Sequence, residues 1–471
     1  MSEAVRNLEP KVIWSHFADL NAVPRGSKKE DRVQQFIMDF GNNLGLETTK
    51  DATGNILIRK PATPGMENRK GVVLQGHLDM VHQKNGDTDF DFDNEGIKMR
   101  IEGDWVKAHG TTLGADNGLG VAAAMAVLSS TDIPHGFIEA LFTADEETGM
   151  TGANNLEPGW LKGDILLNMD TEDEGELCIG CAGGIDTSID FDYKSEAVPN
   201  NYVTCNLNIK GLFGGHSGCD IHLQKGNSNK LLARLLVLAN QTMDVRLVSF
   251  NGGSLRNAIP REVLGAVTLQ ESDFSAMTNV VKDFEAVIKD EFKNTDPNLF
   301  IEFSKTQGAS EHISKEDNFK MINSLNAVRN GVYRMSGDFE GLVETSTNLS
   351  KVQIENGKMN IDFLTRSSIE EPKLDLKNQI ESLFKLIGAK VTHGGSYPGW
   401  TPNPSSGILK TMKVIHKDFF GYDAEVSAVH AGLECGIIAR TQPKLDMISF
   451  GPTIKNAHSP DEMANIPTTE R

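Results

Sequence analysis

The sequence predicts an α/β protein in which a mostly parallel sheet with helices on both faces is interrupted by a long α+β insertion. Three observations support this fold class. Short apolar runs alternate with helical patterns up to Gly184, the alternation then stops, and it returns from Tyr397 onward. We therefore expect the first part of the α/β domain over residues 1–184, the insertion over residues 185–396 and the second part of the α/β domain over residues 397–471.

The first part of the chain predicts helices and strands in turn. Apolar residues at helical spacing predict a helix over residues 11–20 and another after Ser27, which can form a capping box with Glu30. Small residues predict a helix over residues 119–128. Apolar runs predict strands over residues 55–59, 71–75, 137–143 and 165–169. In such a sheet, ligands bind where the carboxyl ends of parallel strands open into a crevice.

The insertion predicts one element order that occurs twice. From Val203 the order is strand, helix, strand, strand and helix, and it restarts at Leu299. The second copy includes a hairpin turned at Asn356-Gly357, a dipeptide that favours a tight β-turn. We expect a duplicated β-α-β-β-α unit, on the order of elements alone.

Composition limits the class of function. The 471 residues carry a net charge of −19, spread along the chain, which argues against a nucleic-acid or anionic-membrane partner. No secretory signal is visible, and the longest apolar run, residues 121–128, is far below the ~20 residues of a membrane span. Five cysteines in a chain of this length indicate reduced thiols. We expect a cytoplasmic protein.

The segment GHLDM (residues 76–80) is the first chemical motif. In an extended chain residues i and i+2 point to the same side, so His77 and Asp79 point together beyond the strand end. A histidine beside a carboxylate is typical of a metal ligand and the residue that orients it. Taken alone, the pattern also fits a solvent-exposed His/Asp pair.

Similar residues follow at other strand ends. Glu146 and Glu147 follow the third predicted strand, Asp170 follows the fourth, Asp116 begins a helix, and His458 returns from the end of the chain. Imidazole and carboxylate ligands without thiolate suit zinc, and manganese or cobalt less strongly. Five ligands exceed one catalytic zinc site, but they fit a two-metal hydrolase with ions ~3.5–4 Å apart and one bridging carboxylate.

The ordered motifs resemble those of a known family. GHLDM, GTTLGADNG (110–118), TADEETG (143–149), NMD (168–170), GGHSGCDI (214–221) and NAHSPDE (456–462) resemble the co-catalytic di-zinc peptidases, which include carnosinase, carboxypeptidase G, tripeptidase and aminoacylase. Within that family, SLRNAIPRE (254–262), YPGW (397–400) and HAGLECG (430–436) resemble the aminoacyl-histidine (Xaa-His) dipeptidases, which are cytosolic carnosinase-like enzymes.

The resemblance implies roles for the metal-site residues and two Zn²⁺ ions per chain, with Mn²⁺ or Co²⁺ as substitutes. The Asp116 carboxylate bridges both ions. The Asp116–Asn117 peptide bond is expected to be cis, which directs this carboxylate between the ions. The other ligands are His77 and Asp170 for one ion and Glu147 and His458 for the other. Glu146 is the general base, and Asp79 holds His77.

Three residues of the insertion complete the implied site. His216 would donate a hydrogen bond to the oxyanion, and Asn257 and Arg366 would contact the substrate, Arg366 through the terminal carboxylate. Without the resemblance, a turn histidine in a Gly-rich loop is the favoured interpretation of His216. Asn257 and Arg366 fit ordinary surface positions as well as they fit a pocket. The insertion is expected to act as a lid and to form a possible homodimer, with His216 acting in its own subunit or in trans. His430 and Glu434 are assigned no role, because their spacing fits pocket-lining residues and structural residues alike.

The expected function is hydrolysis of Xaa-His dipeptides. Alternatives are a broader di-zinc aminopeptidase or deacylase and a non-catalytic binding protein on the same fold. The presence of Glu146 with a full ligand set argues against the binding protein, and two histidine ligands argue against a glycosidase. The family resemblance also implies a C-terminal helix, and the chain ends at Arg471, where that helix would begin.

Overall fold

The computed structural model describes residues 2–471, which form two compact units. Unit 1 comprises Met1–Gly180, Trp400–Ala428 and Leu433–Arg471, and unit 2 comprises Cys181–Gly399 and Val429–Gly432. The predicted domain limits at residues 184 and 396 stay predictions. Within residues 2–471, no helix combines the length and the apolar character needed to cross a bilayer.

The α-helices of the described residues alternate with strands along most of the chain. Two short 3₁₀ helices, Ile221–Leu223 and Glu271–Asp273, lie among them. The α-helices are α1 Ser2–Val5, α2 Lys11–Asn21, α3 Asp31–Asn43, α4 Ala115–Ser129, α5 Glu146–Gly149, α6 Thr151–Asn154, α7 Ser228–Ala239, α8 Phe274–Glu291, α9 Lys315–Ala327, α10 Glu370–Leu386, α11 Gly407–Phe420, α12 Glu434–Thr441 and α13 Ile466–Glu470.

The strands of the described residues form a large sheet in each unit and three small sheets. They are β1 Glu47–Lys50, β2 Ile56–Lys60, β3 Val72–His77, β4 Met99–Glu102, β5 Trp105–Ala108, β6 Ile138–Thr143, β7 Ile165–Asn168, β8 Glu176–Cys181, β9 Gly183–Asp192, β10 Ser195–Ala197, β11 Tyr202–Lys210, β12 Gly215–His216, β13 Arg246–Gly252, β14 Ala258–Ile259, β15 Val263–Gln270, β16 Phe300–Lys305, β17 Glu311–Ile313, β18 Gly331–Met335, β19 Val343–Glu355, β20 Lys358–Ser367, β21 Lys390–Tyr397, β22 Glu425–Val429, β23 Asp446–Ser449, β24 Ile454–Lys455 and β25 Met463–Asn465.

The large sheet of unit 1 is mixed, with the order β1-β2-β6-β3-β7-β23-β8-β22. Its four central strands, β6, β3, β7 and β23, are parallel, whereas β1 and β2 pair antiparallel at one side. Helices α3 and α4 contribute Ile37, Val121 and Met125 to an apolar core shared with Ile58 and Phe142 of the sheet. Strands alternate with helices here as the sequence predicts. Parallel strands need crossover connections, and the crossover helices cover the faces of the sheet, so the parallel strands are buried at its centre.

The capping box predicted from Ser27 and Glu30 is wrong. Helix α3 begins at Asp31, and no side chain caps its first turn. The Glu30 carboxylate instead accepts a hydrogen bond, at 2.6 Å, from the backbone N–H of Asp145, a residue remote in sequence. The spacing of serine and glutamate is therefore not sufficient to predict a cap, because tertiary partners compete for the same carboxylate.

The large sheet of unit 2 contains a nested duplication. Its eight-strand path is β16-β11-β15-β13-β19-β20-β9-β21, and each neighbouring pair is antiparallel. One half consists of β11, α7, β13, β15, α8 and β16, and the other of β9, α9, β19, β20, α10 and β21. Each half has the order β-α-β-β-α-β, and the two halves meet through β13 and β19.

The predicted restart of the second copy at Leu299 is wrong. The strand at that position, β16, pairs with β11 and completes the first copy. The second copy begins at β9, before the first copy, so one unit is inserted into the other. The predicted hairpin at Asn356-Gly357 is confirmed, since Glu355 pairs with Lys358. Glycine and aspartate at Gly183, Gly184 and Asp186 disfavour a strand prediction, which hid β9 from sequence patterns.

A small sheet of unit 1, with the order β24-β25-β5-β4, carries the last predicted ligand. Strands β24 and β25 are antiparallel, and His458 lies in the loop between them. Helix α13 follows β25 and begins with an asparagine cap, in which the Asn465 side chain accepts a hydrogen bond from the N–H of Thr468.

Candidate metal centre

Three neighbouring parallel strands bring predicted ligands to one edge of the unit 1 sheet. Strand β3 ends at His77, and in the pairing of β3 with β6 His77 lies opposite Thr143. Glu146 and Glu147 follow β6 by three and four residues, and Asp170 follows β7 by two. Because the carboxyl ends of parallel strands meet at one edge, segments far apart in sequence become neighbours there.

The five predicted metal ligands form two groups that share Asp116. Asp116 Oδ1 lies 3.0 Å from His77 Nε2, which is also 3.4 Å from Asp170 Oδ1. Asp116 Oδ2 lies 3.1 Å from His458 Nε2, which is also 2.9 Å from Glu147 Oε2. The two oxygens of one carboxylate therefore face two different sets of ligands, which is the arrangement of a bridging carboxylate.

The donor atoms fit a pair of divalent cations. His77, Asp116 and Asp170 form one group, and Asp116, Glu147 and His458 another, with the ligand atoms of each within 4.8 Å of one another. A third overlapping group contains His77, Glu146 and Glu147. The Glu147 Oε1 atom is buried without a hydrogen-bond partner, although buried carboxylate oxygens are almost always paired. Only nitrogen and carboxylate oxygen donors are present, which matches zinc or manganese ligation.

The electrostatics of the site favour positive charge. Burial alone would lower the pKa of His77, but the neighbouring Asp170 and Asp116 carboxylates raise it well above its ordinary value. Hydrogen bonds to Asp116 and Glu147 raise the pKa of His458 to about 11. The neighbouring carboxylates thus favour positive charge at both imidazoles, and divalent cations would supply such charge.

Three carboxyl groups of the site, those of Glu146, Glu147 and Asp170, have raised pKa values. Burial, followed by the charges of Asp170, Glu147 and Glu434, holds the pKa of Glu146 well above its usual range despite His77. Burial also raises the pKa of Asp170 and of Glu147. Several negative charges crowded in a buried pocket are costly unless cations accompany them.

Asp79 connects His77 to the segment that carries both glutamates. Its fully buried carboxylate accepts hydrogen bonds from the backbone N–H groups of Glu146, at 3.0 Å, and Glu147, at 3.2 Å. His77 Nδ1 lies 3.1 Å from the backbone carbonyl oxygen of Asp79 and 3.3 Å from one oxygen of its carboxylate. Asp79 thereby orients the ring of His77 so that Nε2 faces Asp116. The same residue also holds the backbone of Glu146 and Glu147.

The turn before Glu146 is fixed by Asp145, which adopts a left-handed conformation with φ of 54°. The Asp145 carboxylate accepts hydrogen bonds from the hydroxyls of Thr148 and Thr151, and its N–H donates to Glu30. Non-glycine residues with positive φ are uncommon and need surrounding structure to hold them. This network therefore determines the direction in which Glu146 and Glu147 leave the strand.

The Asp116–Asn117 peptide bond is cis, as expected from the resemblance. Asp116 and Asn117 depart from helical backbone angles although they lie within the bounds of α4. The Asn117 side-chain amide donates hydrogen bonds to the Met169 carbonyl, at 2.6 Å, and to Asp170 Oδ1, at 2.5 Å. Asn117 therefore joins the helix start to the strand end that carries Asp170.

Two buried residues that the sequence analysis missed hold the ligand loops. Arg25 donates to the backbone carbonyls of Leu78, Asp79 and Gly114. Glu462 accepts hydrogen bonds from the backbone N–H groups before and at the start of α4. Glu462 stands in the NAHSPDE motif that was already recognised, so its position in that motif was the available signal.

Glu434, which had no predicted role, lies in a buried polar chain beside the site. Its Oε2 atom accepts hydrogen bonds from Gln75 Nε2, at 2.7 Å, and Thr143 Oγ1, at 2.6 Å. Gln75 Oε1 in turn accepts a hydrogen bond from Asn168 Nδ2, at 2.6 Å. Burial raises the pKa of Glu434 to about 7. Residues of β3, β6, β7 and α12 are thus connected directly behind the strand ends.

Unit 2 contains the other predicted site residues, beginning with His216. Its Nδ1 accepts hydrogen bonds from the N–H groups of Gly218, at 3.2 Å, and Cys219, at 3.0 Å, so the ring proton of the neutral imidazole is on Nε2. Burial and the charge of Arg366 lower the pKa of His216 to about 4. His216 is therefore a neutral imidazole with one N–H to donate.

Arg366 is a buried cation with few partners. It is 5% exposed, and its Nη1 donates to the hydroxyl of Tyr397, at 3.0 Å. Its Nε atom is buried without a hydrogen-bond partner, and no carboxylate of the described residues forms a salt bridge with it. A desolvated guanidinium without a counter-ion is suited to receive a carboxylate.

The structure brings Asn257 beside His216 through the small sheet of β12 and β14, in which His216 pairs with Ala258. The Asn257 carbonyl accepts a hydrogen bond from the N–H of Ser217, at 2.8 Å. The Asn257 side chain is exposed. His430, which had no predicted role, is buried with Nε2 2.7 Å from Ser346 Oγ.

Comparison with known proteins identifies the family. The model for peptidase family M20/M25/M40 matches residues 73–471, which is most of the chain and includes every predicted site residue. The chain belongs to peptidase family M20/M25/M40. As an M20/M25/M40 peptidase it is an enzyme, a hydrolase of the metallopeptidase class.

Two proteins are similar to this M20/M25/M40 peptidase over almost its whole length. It is 43% identical over 466 residues to the cytosol non-specific dipeptidase of Escherichia coli strain K12, covering 99% of this chain and 96% of the relative. The crystal structure of aminoacylhistidine dipeptidase from Vibrio alginolyticus is 45% identical, with a TM-score of 0.92 and coverage of 100% of this chain and 96% of that chain. Aminopeptidase PepT from Bacillus cereus, at 15% identity and a TM-score of 0.56 over 98% of this chain and 95% of that chain, shares the fold.

Proposed function

We propose that this M20/M25/M40 peptidase is a dipeptidase that hydrolyses Xaa-His dipeptides, with Glu146 as the general base for attack by water. The observation that carries the proposal is the pair of ligand groups that share Asp116, together with a third overlapping group that contains Glu146 and Glu147. The similarity to the Vibrio alginolyticus aminoacylhistidine dipeptidase, 45% identical over 100% of this chain, supports the choice of substrate.

The cofactors in this proposal are two Zn²⁺ ions per chain, with Mn²⁺ or Co²⁺ as substitutes. His77 and Asp170 would hold one ion, Glu147 and His458 the other, and Asp116 both. When bound, such ions polarise the scissile carbonyl and make the attacking water more acidic.

Glu146 is the proton carrier in this proposal. Its backbone N–H is held by Asp79, and burial beside other carboxylates raises the pKa of its carboxyl, which makes the carboxylate form a stronger base. A carboxylate of raised pKa accepts a proton from water readily and then delivers it to the nitrogen of the leaving amine. Glu147, one residue later, faces His458 at 2.9 Å, so the two side chains have separate tasks.

His216 is the oxyanion donor in this proposal. An oxyanion needs a donor that is fixed before the reaction and does not lose its proton. The N–H groups of Gly218 and Cys219 fix the ring of His216 with its proton on Nε2, and the lowered pKa keeps it neutral at physiological pH.

Arg366 and Asn257 are the substrate-binding residues in this proposal. A dipeptide ends in a free carboxylate, and the guanidinium of Arg366, whose Nε has no hydrogen-bond partner, offers Nε and Nη atoms for a two-bond contact. Asn257, next to His216 in the β12–β14 sheet, would contact the peptide backbone of the substrate.

The insertion serves as a lid in this proposal, because unit 1 carries the metal ligands while unit 2 carries His216, Asn257 and Arg366. Catalysis then requires both sets of residues to act on one substrate molecule, and closure excludes water from it. We also propose a homodimer formed through the insertion and a cytoplasmic location, the latter supported by the word cytosol in the name of the Escherichia coli relative.

A second candidate is a dipeptidase of broader specificity, because the Escherichia coli relative is named non-specific. In both candidates the reaction is the same, and only the pocket around the C-terminal side chain of the substrate differs. A wider aminopeptidase or deacylase would accept tripeptides or N-acyl amino acids as well.

A substrate panel on the zinc-loaded enzyme tests the proposal. We expect β-Ala-His to be hydrolysed efficiently, Ala-Leu poorly, and a tripeptide and an N-acyl amino acid not at all. Equal rates for β-Ala-His and Ala-Leu would favour the broader dipeptidase, and hydrolysis of the N-acyl amino acid would favour the deacylase. Glu146→Gln is the control for contaminating peptidases, and absence of hydrolysis of all four substrates by folded, zinc-loaded enzyme would contradict the proposal.

A further inference from the structure

Glu462 is a buried carboxylate that binds the backbone of a ligand loop. It lies between β24 and β25, four residues after His458, and is 2% exposed. Its two oxygens accept hydrogen bonds from the N–H groups of four consecutive residues: Leu113 at 2.7 Å, Gly114 at 2.9 Å, Ala115 at 2.7 Å and Asp116 at 3.4 Å. One side chain thus satisfies the donors on the approach to the shared ligand, Asp116.

These N–H groups have no acceptor inside α4, because the first donors of a helix always lack an intrahelical partner. A carboxylate is the strongest acceptor for them and also opposes the positive end of the helix dipole. Gly114, with φ of 71°, turns the chain so that consecutive N–H groups converge on one side chain.

Arg25 holds the same loop from the other side. Its Nη2 donates to the Gly114 carbonyl, at 2.5 Å, while Nη1 donates to the carbonyls of Leu78, at 3.1 Å, and Asp79, at 3.2 Å. The N–H and the C=O of Gly114 are therefore held by opposite charges. Arg25 and Glu462 together connect the backbone segments that carry His77, Asp116 and His458.

We propose that Glu462 is a positioning residue of the metal centre, which ties the loop of Asp116 to the segment of His458 and so sets the spacing of the two ligand groups. The inference rests on the proposed function only in that the centre must bind metal. The hydrogen bonds of Glu462 come from backbone N–H groups and not from a ligand side chain, so it acts through the backbone of Asp116.

The substitution Glu462→Gln keeps the size of the side chain and removes its charge. The amide oxygen still accepts from two N–H groups, but the amide nitrogen faces the remaining donors and repels them. We expect the dissociation constant for Zn²⁺, measured by competition with a chromogenic chelator, to rise by ~10–100-fold, the usual effect of losing a group that orients a metal ligand.

The kinetic signature separates positioning from general destabilisation. With E462Q, kcat should fall at limiting Zn²⁺ and return to the wild-type value at saturating Zn²⁺, because the catalytic groups themselves are unchanged. Glu462→Asp retains the charge but is shorter, and we expect it to recover part of the lost Zn²⁺ affinity.

The matched control is Glu139→Gln, in the same unit. Glu139 is fully buried, and its Oε2 accepts hydrogen bonds from the N–H groups of Lys162, at 2.7 Å, and Gly163, at 2.9 Å, remote from the ligands. E139Q should lower the Tm of the protein and leave the Zn²⁺ dissociation constant unchanged.

Equal Zn²⁺ affinity for folded E462Q and the wild type would overturn the inference, as would a loss of affinity in E139Q as large as that in E462Q. If E462Q does not fold, hydrogen exchange on the chelated wild-type protein decides. Protection of the amides of residues 113–115 without metal supports the inference, and exchange at the rate of an exposed loop contradicts it. Absence of Zn²⁺ binding by the wild type would instead contradict the proposed function.

Discussion

Replacing Asp79 by asparagine tests the internal support of the proposed metal centre. Two backbone donors converge on the Asp79 carboxylate, one on each oxygen: the N–H of Glu146 at 3.0 Å and the N–H of Glu147 at 3.2 Å. His77 Nδ1 lies 3.3 Å from one of these oxygens and 3.1 Å from the backbone carbonyl oxygen of Asp79. Asparagine has the same shape, but its amide nitrogen cannot accept a hydrogen bond. At least one buried donor therefore loses its acceptor in Asp79→Asn.

The magnitude follows from that lost acceptor. A buried donor without a partner costs about 1–3 kcal/mol, which corresponds to a factor of about 5–150 in an equilibrium constant. The cost falls on the metal-binding state because the affected groups orient His77 and the Glu146–Glu147 segment. We therefore expect the Zn²⁺ dissociation constant to rise by ~10–100-fold, the range measured for other residues that orient metal ligands.

Competition with a chromogenic chelator measures this constant, and circular dichroism verifies that the variant is folded. Asp51→Asn is a matched control, since Asp51 Oδ1 accepts hydrogen bonds from the N–H groups of Thr53, Gly54 and Asn55 without contacting a ligand. Its Zn²⁺ affinity should equal that of the wild type. A folded D79N protein that binds Zn²⁺ as tightly as D51N would refute the assigned role of Asp79.

Three further predictions concern unit 2. His216→Ala should keep the zinc content and lower kcat by ~10²–10³, the cost of one oxyanion donor, and full activity would exclude the lid role. Recovery of activity in mixed dimers of H216A and E146A would require that His216 acts in trans. Arg366→Met should raise KM for dipeptides but not for dipeptides amidated at the C-terminus, and an equal effect on both would exclude a carboxylate contact. Burial and Arg366 lower the pKa of His430 from 6.5 to about 3, so between these values the unfolded chain binds a proton that the folded chain does not. The free energy of unfolding should therefore fall as pH decreases from neutral to about 5, and less steeply in His430→Asn; equal slopes in urea titrations would contradict this.

The parallel strand order explains why sequence reasoning found the ligands. Buried parallel strands are continuous apolar runs, so β3, β6 and β7 are visible in the sequence together with the residues that follow them. Once these strands are neighbours, His77, Glu147 and Asp170 must lie at one edge.

The supporting residues were not predictable in the same way. Glu30, Arg25 and Glu462 contact backbone groups of loops that are remote in sequence, and a backbone N–H or C=O leaves no signature in the sequence. Local spacing even assigned Glu30 to a cap that does not form. Similarly, the pairing of β9 was not predictable, because its partner β20 is formed by residues more than a hundred positions later, with the whole first copy of the duplication between them.

The number of metal ions per chain in three proteins tests the central claim most directly. Elemental analysis of the purified, zinc-reconstituted wild type, Glu146→Ala and Asp116→Ala should give two ions, two ions and none, because Asp116 serves both ligand groups whereas Glu146 serves neither. Over the same preparations, kcat of E146A should be lower than that of the wild type by ~10²–10⁴. One ion in the wild type, or metal loss in E146A equal to that in D116A, would contradict a two-metal centre bridged by Asp116 with Glu146 as its base.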